Sequence, residues 1–378
     1  MLSCVADYRL AARRRLPRLA FDYLDGGAED GDALHRNRDA YRQWCFSPRV
    51  LTDISHCSTA TQFFGRRAAA PMVVGPTGLN GLFWPRADEL LAQAASRAGL
   101  PFVLSTASTS LLEDVRAHAP DGELWMQLYV QQDRRIAEDV MHRAGAAGYS
   151  TLVLTVDTPV HGKRDYEIRN GFRLPLRLSP KLLADCVTRP HWCWQMLRHG
   201  TPQLKNIARS LGERADLSRH AAMLSRQMDL TLGWHDLDWV RQHWSGKVIV
   251  KGIQTVRSAL LAAAHDADGI VVSNHGGRQL GSAPASLDVL PEIVAAVGDR
   301  FDVFVDGGVR RGSDVVKALA LGARGVLLGR APLYGVASRG AAGANEVLAL
   351  LSAEMLTTLQ LLGCPEVAGL DGSFLRRA

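Results

Sequence analysis

Short apolar runs rich in β-branched residues recur along this chain, each followed by a stretch with alanine and leucine at helical spacing. They are Met72 to Gly75, Phe102 to Ser105, Leu124 to Val130, Thr151 to Val156, Lys247 to Lys251, Gly269 to Val272, Asp302 to Val305 and Gly325 to Leu328. Continuous apolar runs of this length fit strands buried on both faces, as parallel strands under helices are. Their alternation with Asp88 to Ala98, Arg134 to Ala147 and Asp314 to Leu321 fits repeated βα units. Eight such units predict an α/β fold, a single (β/α)8 TIM barrel spanning 1–378, with a doubly wound open sheet as the competing arrangement. The spacing breaks once, between Asp157 and Lys247. An insertion after the fourth strand is implied.

In a barrel of this kind reactive groups gather where strands end at their C-terminal side. Nearly every run here finishes on residues that a core has no use for. Pro76, Thr77 and Gly78 follow the first run, Ser105 ends the second, and Gln127 and Tyr129 close the third. Thr155 and Asp157 end the fourth, Lys251 the fifth, and Ser273 with His275 the sixth. Asp306-Gly307-Gly308 and Gly329-Arg330 end the last two. Any one could be an ordinary turn residue. A polar constellation at all eight ends points to a site.

Composition narrows the class. With 47% hydrophobic and 22% charged residues over 378 positions, the chain reads as globular rather than disordered. Six dispersed cysteines without CxxC pairs suggest neither a disulfide framework nor a zinc site. The first residues turn polar before a signal-peptide core accumulates, and no apolar stretch is long enough for a spanning helix. The formal charge of +6 is compatible with nucleic acid, an anionic membrane surface or anionic substrates, and does not choose among them.

The loops after the last two strands of such barrels often bind phosphate. Here they carry Asp306-Gly307-Gly308-Val309-Arg310-Arg311-Gly312 and Gly329-Arg330, glycine amides and guanidinium groups suited to a dianion. Asp306 is expected to accept hydrogen bonds from hydroxyls, such as those of a ribityl chain, which points to a mononucleotide. No Gly-x-Gly-x-x-Gly turn opens the first unit, so a dinucleotide held in the Rossmann manner is disfavoured. Lys251 suits the negative charge that a reduced flavin gathers around N1 and O2, or simply pairs with an acid. Arg164 and Arg278 offer the bidentate geometry that a carboxylate asks for. His275 is a candidate base. Asp157 could orient its imidazole or cap a turn before Pro159. No metal site is suggested.

Ser273-Asn-His-Gly-Gly-Arg-Gln-Leu280, Phe21-Asp-Tyr-Leu-Asp-Gly-Gly-Ala-Glu-Asp30, Gln127-Leu-Tyr129 and Asp306-Gly-Gly-Val-Arg-Arg-Gly312 together resemble the FMN-dependent L-2-hydroxy acid dehydrogenase and oxidase family over essentially the whole length. The resemblance implies that His275 is the base, supported by Asp157. It implies that Arg164 and Arg278 hold the substrate carboxylate, and that Tyr23 and Tyr129 contact its carboxylate or hydroxyl. Pro76, Thr77, Gly78, Ser105, Gln127, Thr155, Lys251 and Ser273 would line the flavin. Asp306, Gly307, Gly308, Arg310, Gly329 and Arg330 would hold its ribityl phosphate end.

Gly75-Pro-Thr-Gly-Leu-Asn-Gly81, Leu104-Ser-Thr-Ala-Ser108 and Met223-Leu-Ser-Arg-Gln-Met-Asp229 look most like the (S)-mandelate dehydrogenase branch. Many oxidases carry alanine where Gly78 stands, a difference that bears on access of oxygen to the flavin. The resemblance therefore implies oxidation of mandelate or a related aryl (S)-2-hydroxy acid, with electrons passed to a quinone or other respiratory-chain acceptor. L-lactate dehydrogenase and oxygen-using oxidase are the alternatives within the family. An FMN-dependent isomerase and a non-catalytic membrane flavoprotein lie outside it.

The inserted loop 173–214 carries Arg173, Arg177, Lys181, Arg189, Arg198, Lys205, Arg209 and Arg214 against Asp185 and Glu213, with Trp192, Trp194, Met196 and Leu197 at its centre. Basic residues interleaved with tryptophan suit an anionic membrane interface, and in the resembled dehydrogenases this segment attaches to the membrane. An active-site lid or oligomer contact is the other reading of it. The expectation is a peripheral protein on the cytoplasmic side of the inner membrane, or else a soluble cytoplasmic one, and a homotetramer that binds no nucleic acid. Gly281 stands where many relatives have aspartate, which removes a hydrogen-bond acceptor and predicts a less firmly held signature loop.

Overall fold

The computed structural model describes residues 2–172, 184–185, 187–211 and 227–378. All eight apolar runs form strands: β1 (Met72–Val74), β2 (Phe102–Ser105), β3 (Leu124–Leu128), β4 (Thr151–Thr155), β5 (Lys247–Ile253), β6 (Gly269–Val272), β7 (Asp302–Asp306) and β8 (Gly325–Leu328). They pair in parallel in chain order, and β8 closes onto β1 through Val326↔Met72 and Leu327↔Val73. The open-sheet alternative is thereby excluded. The third run stops at Leu128, and β5 runs on to Ile253 through a register shift after Lys251. The helices lie within two residues of the expected segments, at Ala87–Arg97, Arg134–Ala146 and Gly312–Ala320. Asp133 starts the second of these by accepting from the Arg135 amide at 3.2 Å, satisfying one of the helix's unpaired first-turn donors.

The inside of the barrel follows from the two-residue period of a strand. Val73, Val103, Trp125, Val153, Ile249, Val271, Phe304 and Leu327, one from each strand, form a single buried cluster. Phe63 and Ala68, from the hairpin Thr61–Phe63 and Arg66–Ala68, join it and plug the barrel floor. Burial of such side chains stabilises the fold by about 1.5–3 kcal/mol each. Two positions further along every strand, the same inward register places Gly75, Ser105, Gln127, Thr155, Lys251, Ser273, Asp306 and Gly329. A polar ring therefore sits directly on an apolar one.

Helices Val5–Arg15 and Arg18–Asp25 precede the barrel and reach its open end. Arg330, at the start of the last helix, ties them to the sixth loop. Its guanidinium donates to the carbonyls of Leu24 (3.1 Å), Gly26 (2.7 Å) and Gly276 (2.9 Å). Residues 156–246 form the long excursion between β4 and β5, whose described parts include helices Asp165–Arg169, Pro190–His199 and Lys205–Ser210. Arg173, Arg177, Lys181, Glu213, Arg214 and Met223 lie outside the described residues.

Candidate active site

The polar ring floors a cavity of about 540 Å³ at the C-terminal ends of the strands. Its members satisfy one another. Ser105 donates to Gln127 Oε1 at 2.9 Å, and Gln127 Nε2 donates to Thr155 Oγ1 at 3.0 Å. Lys251 Nζ donates to Ser273 Oγ at 2.8 Å and pairs with Asp306 Oδ2 at 2.9 Å. Burial opposes the charge on Lys251, but Asp306 and Asp157 outweigh it and raise its pKa. Lysine and acid are thus partners, and the lysine still lines the cavity.

Ser273 belongs to the ring but is not among the residues that line the cavity. Its side chain is fully buried and accepts from both Lys251 and the His275 amide, the latter at 3.0 Å. It positions those two residues rather than lining the cavity.

A flavin mononucleotide can be tested against this floor. Asp306 Oδ1 is buried without a partner among the described residues, an acceptor left over for a hydroxyl. Arg310 lines the cavity and spends one donor on the Val309 carbonyl. Burial, and then the charge of Arg278, push the Arg330 pKa down to about 10, a penalty that an anion beside it would relieve. A Cβ at Gly329 would meet nothing closer than Thr77 Cγ2 at 3.7 Å, so that side stays open. These residues fit the group. Gly308 has a different reason to be glycine: at φ +85° its Cβ would lie 2.0 Å from the Asn37 carbonyl oxygen.

His275, Gly276 and Gly277 all take positive φ, at 58°, 62° and 74°. Such a turn suits glycine, and a Cβ at Gly277 would come within 2.5 Å of the Leu34 amide. The turn aims His275 Nδ1 at Asp157 Oδ1, 2.9 Å away, and leaves Nε2 facing Tyr129 Oη at 3.4 Å. Asp157 therefore serves the imidazole rather than capping a turn. Burial alone would raise the Asp157 carboxyl, but the charges of His275 and Lys251 outweigh it and hold its pKa below the ordinary value. Burial raises the pKa of Tyr129, and Asp157 adds to the effect, so the phenol keeps its proton.

The turn is also anchored from outside. Asn37 and Asn274 exchange side-chain hydrogen bonds at 2.7 and 2.9 Å. Gln279 donates to the Val160 carbonyl at 2.8 Å and accepts from Arg164 Nη2 at 3.2 Å. The loop expected to be loose around Gly281 is pinned by other residues, and a Cβ at Gly281 would strike Glu29.

Arg278 lies over the Tyr23 ring at 4.8 Å, and both line the cavity with Arg164. Arg278 Nη1 donates to the carbonyls of Tyr23 (2.7 Å) and Gly26 (3.0 Å), which fixes its plane. Next to Tyr23 the wall is apolar, with Leu79, Phe83, Phe172, Leu204, Ile207 and Met228. Phe172 stacks on Tyr23 at 4.6 Å. Sequence reasoning missed this wall, and it missed Glu167, whose carboxylate touches both arginines. The signal available for Glu167 was an acid three residues after Arg164.

Within the insertion, Trp192 is not part of an exposed face. It is 4% exposed, and its indole donates to the Leu82 carbonyl at 2.8 Å. Trp194 and Leu197 are 61% and 81% exposed. Among the described residues no helix is long and apolar enough to cross a membrane.

The profile of a family described as FMN-dependent dehydrogenase matches residues 12–377. The (S)-mandelate dehydrogenase of Pseudomonas putida is 46% identical over 372 residues, covering 98% of this chain and 93% of the relative. An L-lactate dehydrogenase of Caulobacter vibrioides is 43% identical over 376 residues, covering 99% and 98%. Among solved structures, one described as the monotopic membrane protein (S)-mandelate dehydrogenase has a TM-score of 0.95 at 45% identity, with 100% of both chains covered. A mandelate oxidase structure has a TM-score of 0.84 at 36% identity, covering 100% of this chain and 99% of the other.

Proposed function

The chain belongs to the FMN-dependent dehydrogenase family as a 2-hydroxy acid oxidoreductase, and from that premise we propose that it oxidises mandelate or a related aryl (S)-2-hydroxy acid to the 2-oxo acid. The observation that carries the aryl preference is the composition of the cavity: two arginines, and beside them across Tyr23 an apolar wall of Leu79, Phe83, Phe172, Leu204, Ile207 and Met228. A methyl substituent would leave most of that apolar wall untouched. An aryl ring covers it.

Bound FMN supplies the two-electron acceptor. Asp306, Lys251, Arg310 and Arg330 would hold it, together with the ring of Ser105, Gln127 and Thr155. Arg164 and Arg278 orient the substrate's carboxylate, with Tyr23 beside it. His275 Nε2 receives the proton released, from the hydroxyl or from Cα, as the hydroxy acid becomes a 2-oxo acid. Asp157 keeps Nδ1 protonated and stabilises the imidazolium that forms. Tyr129, a neutral donor near Nε2, is placed to hydrogen-bond the substrate oxygen.

Anaerobic mixing with (S)-mandelate, L-lactate and glycolate tests the substrate. Mandelate should bleach the flavin absorbance fastest, and equal or faster bleaching by lactate would defeat the aryl assignment. His275→Ala should retain flavin and lose at least roughly 10²- to 10⁴-fold in that rate.

For the acceptor, we read a membrane quinone rather than oxygen. Support comes from exposed Trp194 and Leu197 on a helix ending in Arg198 and His199, and from the described character of the mandelate dehydrogenase neighbour. Reoxidation of the reduced protein by a soluble quinone should outpace that by oxygen, and the protein should sediment with anionic vesicles. A homotetramer is the expected assembly, to be checked by solution mass.

A further inference from the structure

The two arginines of the clamp are already in contact with a carboxylate that belongs to the protein. Glu167, on helix Asp165–Arg169, lines the cavity, and its Oε1 lies 3.0 Å from Arg278 Nη2 and 3.5 Å from Arg164 Nη1. The three side chains are 13–16% exposed.

The donors show why those two nitrogens matter. Arg278 commits both Nη1 hydrogens to the carbonyls of Tyr23 and Gly26. Arg164 commits Nε to the Arg278 carbonyl at 3.3 Å and Nη2 to Gln279 at 3.2 Å. The main chain and Gln279 thus lock the guanidinium planes, and Arg278 Nη2 and Arg164 Nη1 are among the donors left for other partners. Glu167 Oε1 meets both. A bidentate carboxylate ligand would be recognised by the same two nitrogens.

We propose that Glu167 is an internal competitor for the substrate's carboxylate. It neutralises one of two adjacent buried cations and weakens every carboxylate that enters the clamp, because the ligand must displace it or share its donors. The idea rests on the reading of Arg164 and Arg278 as the substrate clamp. Glu167 is accordingly a positioning and affinity-setting residue, not a catalytic one.

Glu167→Gln keeps shape and one acceptor oxygen but removes the charge. Phenylacetate, a carboxylate with no 2-hydroxyl to oxidise, can be titrated into the holoenzyme and followed by perturbation of the flavin spectrum. Its Kd should fall about tenfold in E167Q, since a charge-assisted contact is replaced by a weaker neutral one. Benzyl alcohol, which has no carboxylate, should bind both proteins alike. Glu167→Asp, with the charge retained and drawn back, should fall between the two. With the hydroxy acid substrate, the change should appear in KM rather than in kcat.

An unchanged or higher Kd for phenylacetate in E167Q overturns the proposal, because a residue that only braced the arginines would weaken binding when altered. Arg164→Met separates the premise from the inference. If R164M binds phenylacetate as well as the unaltered enzyme, the clamp reading fails and Glu167 with it. If R164M weakens binding and E167Q does not tighten it, the competitor role alone is lost.

Discussion

The two ends of the cavity are built differently. The floor assigned to the flavin is carried on strands: Ser105, Gln127, Thr155, Lys251 and Asp306 occupy successive inward positions of the barrel and bond mainly to one another. The end assigned to the substrate is assembled from connections and from chain far outside the barrel. Tyr23 comes from the second helix, Arg164 and Glu167 from the excursion after β4, Arg278 from the sixth loop, and Leu204 and Ile207 from the insertion. Strand register fixes the floor, whereas main-chain carbonyls and Gln279 fix the arginines. The cofactor end is thus tied to the core of the fold, and the substrate end can vary without touching it.

If that division holds, damage to the floor should be structural as well as functional. Lys251→Met leaves the buried Asp306 carboxylate uncompensated, a cost of about 3–5 kcal/mol. The purified variant should lose its flavin on desalting and unfold at lower denaturant. Retention of flavin at wild-type stability would show that the floor is not tied to the core of the fold.

Damage to the loop-borne wall should change selectivity with little effect on the cofactor. Ile207→Ala should lower kcat/KM for mandelate by roughly 10- to 100-fold relative to its effect on lactate, with flavin content unchanged. An equal fall for both substrates would show that the wall does not read the aryl group.

The smallest effect concerns Asp157, at the join between the two ends. Its folded pKa is depressed, so its ionised form stabilises the protein above the unfolded value near 3.8, and that stability is lost as pH falls through the lower folded value. Melting temperatures of the unaltered protein and Asp157→Asn should differ by a few degrees at pH 5, and the gap should close below about pH 4. A gap that widened toward acid would reverse the assigned sign.

Much of this arrangement was legible in the sequence because a strand's period of two is rigid. An apolar run that ends on Gln127, Lys251 or Asp306 declares both a strand and the direction of its last side chain. That His275, Arg278 and Arg164 line one cavity was legible from their residue types and their places in the signature and in the fourth loop. Inward register alone does not tell an exposed hydroxyl from one spent on Lys251 and the His275 amide, as that of Ser273 is. Trp192 was misread for a related reason: a tryptophan among basic residues looks interfacial until its indole is found on the Leu82 carbonyl. The apolar wall and Glu167 depend on how distant loops fold over the barrel mouth, and local pattern carries no record of that.

The stacking of a polar ring on an apolar one also limits how this chain can change in length. Loss or gain of one residue within β3 or β5 would turn Gln127 or Lys251 outward into the helix layer and bring an apolar neighbour into the cavity. Up to these ring residues the strands can therefore accept substitutions but not single-residue insertions or deletions, and the one register shift in β5 falls after Lys251. The connection from β4 to β5 is under no such parity rule, and it has accommodated everything from Val156 to Gly246. Tolerance of a change in length is therefore expected in the connections, at the end of the cavity assigned to the substrate.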